Sequence, residues 1–115
     1  YQDALNTYEK GVDTAPVLDR ADILKNIGKV HLLNGDYQQA VQYLDKAFEI
    51  AKENDQQLVE VQSLIILGNA YREYDYAKAI ETFKEAELIA NEMEIVDELR
   101  DIYEGMYQSY GAMGD

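Results

Sequence analysis

The sequence contains no cysteine and no tryptophan, and it has only one proline and one histidine. Without cysteine the chain cannot form disulfides, thiolate metal sites or a cysteine nucleophile. The single histidine, His31, has no second histidine or cysteine with which to share a metal ion. We therefore expect no catalytic residue, no cofactor and no metal site, and we interpret His31 as a core or half-buried packing residue.

Long apolar runs are missing as well. No stretch approaches the ~20 apolar residues that a membrane-spanning helix needs, so we expect no membrane insertion. Basic residues are scarce: 10 Lys and Arg stand against 23 Asp and Glu, for a net charge of −13. This charge repels phosphate backbones and argues against nucleic acid as a partner. It predicts a well-solvated surface, with an acidic docking face as the alternative.

The acidic residues form no recognisable catalytic or metal-binding motif. Six carboxylates lie between Glu92 and Glu104, but they lack the alternating oxygen ligands and the glycine of a calcium-binding loop. Spacing alone does not exclude a pair of catalytic acids, although nothing in the sequence supports one. The segment GMYQSYGAMGD has no lysine and no preceding strand, so it is interpreted as a helix end rather than a phosphate loop.

A recurring spacing of small and apolar residues indicates paired helices. Intervals of three and four residues mark one face of a helix, and two kinds of face alternate along the chain. The first kind comprises Leu24, Ile27, Gly28 and His31, then Leu64, Leu67, Gly68 and Tyr71, then Tyr103, Met106, Tyr107 and Tyr110. The second kind comprises Ala4, Tyr8, Gly11 and Ala15, then Ala40, Leu44, Ala47 and Ala51, then Ala79, Phe83, Ala86 and Ala90.

Two segments resemble the tetratricopeptide repeat: ILKNIGKVHLLNGDYQQAVQYLDKAF and LIILGNAYREYDYAKAIETFKEA. That family places Leu, Gly and Tyr on a first helix, then Ala, an aromatic residue and Ala on a second. The resemblance implies an all-α fold, a right-handed superhelical stack of antiparallel helix hairpins in a single domain, 1–115. It divides this domain into a half unit 1–16, full units 20–53 and 58–92, and a half unit 95–115. With no initiator methionine, we expect a fragment of a longer array.

The resemblance also implies a function in protein binding without catalysis, as a scaffold or as a regulatory or sensor domain. Such arrays commonly hold a peptide or a partner helix on the concave face that their first helices line. Helical spacing predicts that this face presents Lys25, Asn26, Lys29, Gln62, Asn69, Arg72, Glu104 and Gln108, with Asp22, Ile65 and Asp101 beside them. Charge runs from basic to acidic along these residues, which favours a partner of opposite polarity.

Other interpretations stay open at this point. The resemblance to a chaperone-tail clamp is partial, because Asp101 and Gly105 stand where its third unit would supply bases. The chain is alternatively a peptide-sensing regulatory domain of a bacterial signalling protein, or a homodimer that forms through exposed terminal helices. The cytoplasm is the favoured compartment, with a periplasmic sensor domain as the alternative.

Two positions depart from the repeat pattern. Gly35 can end the first helix of one hairpin, but Tyr74 stands at the corresponding turn of the next hairpin, which is one residue shorter. This turn is expected either to close in a tightened form or to fuse both helices into one rod. A fused rod would favour a domain-swapped homodimer, exchanged at Tyr74–Asp75, that lacks a peptide groove. Tyr107 replaces a glycine, so the helix around 95–112 is expected to pack irregularly or to lack its usual neighbour.

Overall fold

The computed structural model describes residues 17–114, which form five α-helices and no strand. The helices are α1 (Val17–Leu33), α2 (Tyr37–Glu53), α3 (Gln57–Tyr71), α4 (Tyr76–Met93) and α5 (Val96–Ala112). The predicted all-α fold, with adjacent helices packed in pairs, is confirmed. The predicted half unit 1–16 lies outside the described residues.

The packing order of the helices gives the array its curvature. Helices α1 and α2 form one hairpin and α3 and α4 the next, and each helix also packs on the one that follows it. The first helices approach one another, since α1 contacts α3 and α3 contacts α5, whereas no Cα pair of α2 and α4 lies within 8 Å. The described residues therefore curve toward α1, α3 and α5, which form the inner, concave face.

Glycines allow the helices to approach where a large side chain crosses between them. A Cβ atom added at Gly28 would lie 2.6 Å from Leu44 Cγ, and one added at Gly68 would lie 2.7 Å from Phe83 Cζ. Leu44 and Phe83 are completely buried in these spaces. Phe83 also packs on Gly105 of α5 and so joins the second hairpin to the helix that follows it.

The hairpin that lacks a turn glycine closes nevertheless. Helix α3 ends at Tyr71, whose carbonyl accepts hydrogen bonds from the amides of Tyr74 (2.9 Å) and Asp75 (2.6 Å). The Asp75 side chain then caps α4 by accepting from the amide of Lys78 at 3.1 Å. Tyr74 is not forced into a left-handed conformation. The alternative of a continuous helix is therefore wrong, and the domain swap at Tyr74–Asp75 that depended on it loses its support.

The turn at Gly35 uses the left-handed conformation, with φ +83°, and no atom lies within 4 Å of a Cβ added there. Replacing Gly35 with alanine is therefore expected to lower the free energy of unfolding by about 1–2 kcal/mol through backbone strain alone. Gly111 is the matched control, because its Cβ would also meet open space but its φ is not positive. Gly111→Ala should raise stability by about 0.5 kcal/mol through helix propensity.

Urea unfolding followed by circular dichroism measures both changes. Opposite signs for the two substitutions are the expected result. Equal effects at Gly35 and Gly111 would show that the turn does not require the left-handed conformation.

Helix α5 departs from the register that the sequence pattern suggested. Gly105, not Tyr107, occupies the position of α5 that packs closely on Phe83, so Gly105 is a buried packing residue. Tyr107 is 81% exposed, and Tyr103 and Tyr110 are partly exposed on the same face of α5, where Tyr103 forms side-chain hydrogen bonds with Glu87 and Asn91 of α4. The irregular packing or missing neighbour expected for this helix stays a prediction.

Candidate functional site

A cavity of about 250 Å³ lies on the concave face, where the three first helices α1, α3 and α5 meet. Because each of these helices contributes side chains, the cavity exists only when the hairpins are stacked. Its lining residues are Lys25, Asn26, Lys29, Gln62, Ile65, Ile66, Glu98 and Asp101. Half of the predicted partner-binding residues are thus brought together here: Lys25, Asn26, Lys29 and Gln62.

The apolar part of the cavity comes from α3. Ile65 is 8% exposed and Ile66 is half-buried, so both belong to the packed layer beneath the polar rim. Ile66 also packs against the main hydrophobic core. The cavity therefore has a rigid apolar floor between polar walls, the combination that gives affinity and orientation to small binding sites.

The basic wall of the cavity comes from α1. Lys25 Nζ donates a hydrogen bond to Gln62 Oε1 at 2.8 Å and forms an ion pair with Asp22 Oδ1 at 2.8 Å. Lys29 lies one turn further along α1, is exposed, and has no hydrogen bond or ion pair with any described residue. Lys25 is thus held in place, whereas Lys29 is free to bind a ligand.

The remaining predicted residues form a second polar cluster further along α3 and α5. Arg72 Nη1 donates a hydrogen bond to Gln108 Oε1, and Gln108 Nε2 donates to Glu104 Oε1 at 3.4 Å. Asn69 lies about one turn before Arg72, is half-buried, and makes no side-chain hydrogen bond with the described residues. Polar side chains thus stand at both ends of the concave face of α3: Gln62 lies at the cavity, and Asn69 and the C-cap residue Arg72 lie at the other end, with Ile65 and Ile66 between them.

Histidine 31 lies away from this face, at the end of α1. Its ring stacks on Tyr43 with centroids 5.3 Å apart and an interplanar angle of 15°. Its Nδ1 atom lies 3.6 Å from Asp36 Oδ2. The half-buried packing position expected for His31 is the observed one.

The structure also contains an acidic groove that the sequence pattern did not indicate. A cavity of about 420 Å³ lies between α2 and α4, over the outer surface of α3. Desolvation raises the pKa of the Asp45 carboxyl; Lys78 opposes this shift and Glu49 adds to it. The acids of this groove, Asp45, Glu49, Glu81 and Glu85, come from two helices that only the stacking of hairpins places side by side.

Residues 17–114 contain no group of three histidine or acidic side chains arranged to hold a metal ion. None of the helices in the described part of the chain combines the length and apolar character needed to cross a membrane. The cavity between α1, α3 and α5, with the polar side chains around it, makes the concave face the candidate functional site.

Comparison with known proteins agrees with this architecture. The family model described as tetratricopeptide repeat matches residues 19–92. No curated protein and no solved structure matches the chain significantly. The matched residues cover nearly all of both hairpins and more than half of the sequence, so the chain belongs to the tetratricopeptide repeat family.

Proposed function

We propose that this chain is a protein-interaction module that holds a peptide or a partner helix on its concave face, without catalysis. Membership of the tetratricopeptide repeat family supports the general role, because these repeats are interaction modules. One observation carries the more specific proposal: polar side chains from three successive first helices surround a cavity with an apolar floor.

The state of the individual side chains supports this use of the face. Lys29 and Asn69 have no side-chain partner among the described residues, so they can bond to a ligand without breaking an internal hydrogen bond. Lys25 and Arg72 are already oriented by Gln62 and Gln108, which lowers the entropy lost on binding. The large apolar side chains lie beneath the face and keep it rigid.

The test is the double charge reversal Lys29→Glu/Arg72→Glu. It removes bases from both ends of the polar face and should weaken peptide binding at least about ten-fold, equivalent to about 1.4 kcal/mol. Peptides are first selected from a library of short random sequences against the wild-type chain, and the enriched peptides are then titrated by fluorescence anisotropy.

The control variant is Lys46→Glu/Lys84→Glu. It changes the net charge by the same amount at exposed positions of α2 and α4, outside the concave face. Circular dichroism verifies that both variants keep their helices. Unchanged binding by Lys29→Glu/Arg72→Glu, or an equal loss in the control, would contradict the proposal.

Two alternative functions differ from this proposal in their output or in their assembly. A peptide-sensing regulatory domain would use the same face and would pass a signal to the rest of the parent protein, and it stays a prediction. A homodimer through exposed terminal helices also stays a prediction, and the tyrosine-rich face of α5 is the surface that it would use.

A further inference from the structure

We propose that the concave cavity recognises a dipolar peptide segment, in which an acidic and a basic side chain flank an apolar one. The acidic side chain would pair with Lys29 on α1, the apolar side chain would lie on Ile65 and Ile66, and the basic side chain would pair with Glu98 and Asp101 on α5. This inference rests on the proposed function and specifies the chemistry of the partner.

The unpaired charges of the cavity have opposite signs on opposite walls. On the α1 wall, Lys25 is neutralised by Asp22, which leaves Lys29 as the base without a partner. On the α5 wall, Glu98 and Asp101 make no hydrogen bond or ion pair with any described residue. A ligand that pairs with all of these groups must carry both signs of charge, separated by the width of the cavity.

The base nearest to the acidic wall in sequence does not neutralise it. Arg100 lies between Glu98 and Asp101 along the chain, but its Nη2 atom pairs with Asp97 Oδ1 at 2.9 Å. The side chains of this pair are 71% and 87% exposed, so they lie in solvent. The negative charge of the α5 wall is therefore available to a ligand.

The apolar floor of the cavity and the amide side chains at its rim determine which part of a ligand fits between its two charged groups. Ile65 and Ile66 offer apolar surface, and burying this surface under an apolar side chain of the ligand contributes affinity. Ion pairs in contact with solvent contribute little affinity by themselves. Asn26 and Gln62 provide amide groups at the rim, which can donate to and accept from a peptide backbone. This combination fits a segment of protein.

Segments with a single sign of charge fit less well. An acidic segment would meet Glu98 and Asp101, and it would also be repelled by the net charge of −13. A basic segment would be attracted to the whole acidic surface, but at the cavity it would meet Lys29. Its binding would be strongly weakened by salt and would not depend on the concave residues.

The experiment uses a matched set of fluorescent peptides with the same leucine-containing core. The residues that flank the core are Glu and Lys, Glu and Glu, Lys and Lys, or Gln and Gln. Fluorescence anisotropy at physiological ionic strength should show that the wild-type chain binds the Glu and Lys peptide about five- to ten-fold more tightly than each of the others.

Two charge-reversal variants should change this preference in opposite directions. Lys29→Glu makes both walls acidic and should transfer the preference to the Lys and Lys peptide. Glu98→Lys/Asp101→Lys makes both walls basic and should transfer it to the Glu and Glu peptide. The matched controls, Lys84→Glu and Glu53→Lys/Glu81→Lys, lie at exposed positions outside the cavity and should retain the wild-type preference.

The outcomes separate this inference from the proposed function. If library-selected peptides bind through Lys29 and Arg72 but the Glu and Lys peptide has no advantage, the dipolar inference is overturned and the proposed function stands. The inference would also be overturned if the Lys and Lys peptide bound the wild-type chain most tightly and its affinity did not change in Lys29→Glu. If neither the designed nor the selected peptides bind, both proposals fail.

Discussion

Replacing Phe83 with alanine is expected to lower the free energy of unfolding by about 3–5 kcal/mol, a large fraction of the stability of a small domain. Phe83 is completely buried, and its ring contacts Gly68 of α3 and Gly105 of α5. Because glycines stand opposite the ring in both helices, neither of these positions has a side chain that could fill the space that the ring leaves. The substitution therefore creates a cavity at the junction of a hairpin and the next helix.

The matched control for this prediction is Phe48→Ala. Phe48 is half-buried on α2, packs at the edge of the core and has Lys52 over its ring. The same chemical change there removes less buried surface and leaves a groove that water can enter, so its cost should be clearly smaller. Urea unfolding followed by circular dichroism measures both costs. An effect of Phe83→Ala no larger than that of Phe48→Ala would show that α3, α4 and α5 are not held together by this ring.

The loss of Phe83 should also affect the concave face, because the same packing positions α5 against α3. Glu98 and Asp101 lie on α5, whereas Gln62, Ile65 and Ile66 lie on α3. The position of Glu98 and Asp101 relative to α3 therefore depends in part on the packing of Phe83 against Gly68 and Gly105. Stability of the stack and geometry of the site are linked through Phe83.

The fold was predictable from the sequence because it depends on small residues at fixed intervals. Gly28 and Gly68 stand opposite Leu44 and Phe83, as the repeat pattern requires. The sequence did not predict how the second turn closes. The turn avoids the left-handed conformation because the carbonyl of Tyr71 accepts two amide hydrogen bonds. The sequence showed that this turn is unusual, but only its backbone conformation distinguishes a closed hairpin from a continuous helix.

The candidate site was predictable in part. The residues of α1 and α3 followed from helical spacing, since both helices belong to complete hairpins with a recognisable register. Glu98 was missed, although it lies three residues before Asp101 and so falls on the same helix face. The packing role of Gly105 was missed, because the repeat pattern aligned Tyr107 with the glycines of the other first helices. The hydrogen bond between Arg72 and Gln108 depends on side-chain conformation, which no spacing rule specifies.

The second large effect is expected for Gly105→Val, which should lower the free energy of unfolding by about 2–3 kcal/mol. A Cβ atom at Gly105 would lie 2.7 Å from Phe83 Cε1 and 2.8 Å from Phe83 Cε2. The ring cannot move aside freely, since its Cε1 and Cζ atoms already contact Gly68 at the opposite helix. Helix propensity favours valine over glycine by a few tenths of a kcal/mol, so the steric conflict determines the sign.

A double-mutant cycle with Phe83→Ala tests this mechanism. If the conflict with the ring is the cause, Gly105→Val should be neutral or stabilising in the Phe83→Ala background, because the valine then fills the cavity left by the ring. Gly111→Val is the control for valine in α5, since no atom lies within 4 Å of a Cβ atom at Gly111. If Gly105→Val costs the same with and without Phe83, the ring does not determine how closely α5 packs. A coupling of about 2 kcal/mol or more would instead show that a glycine outside the repeat pattern is required to attach α5 to the stack.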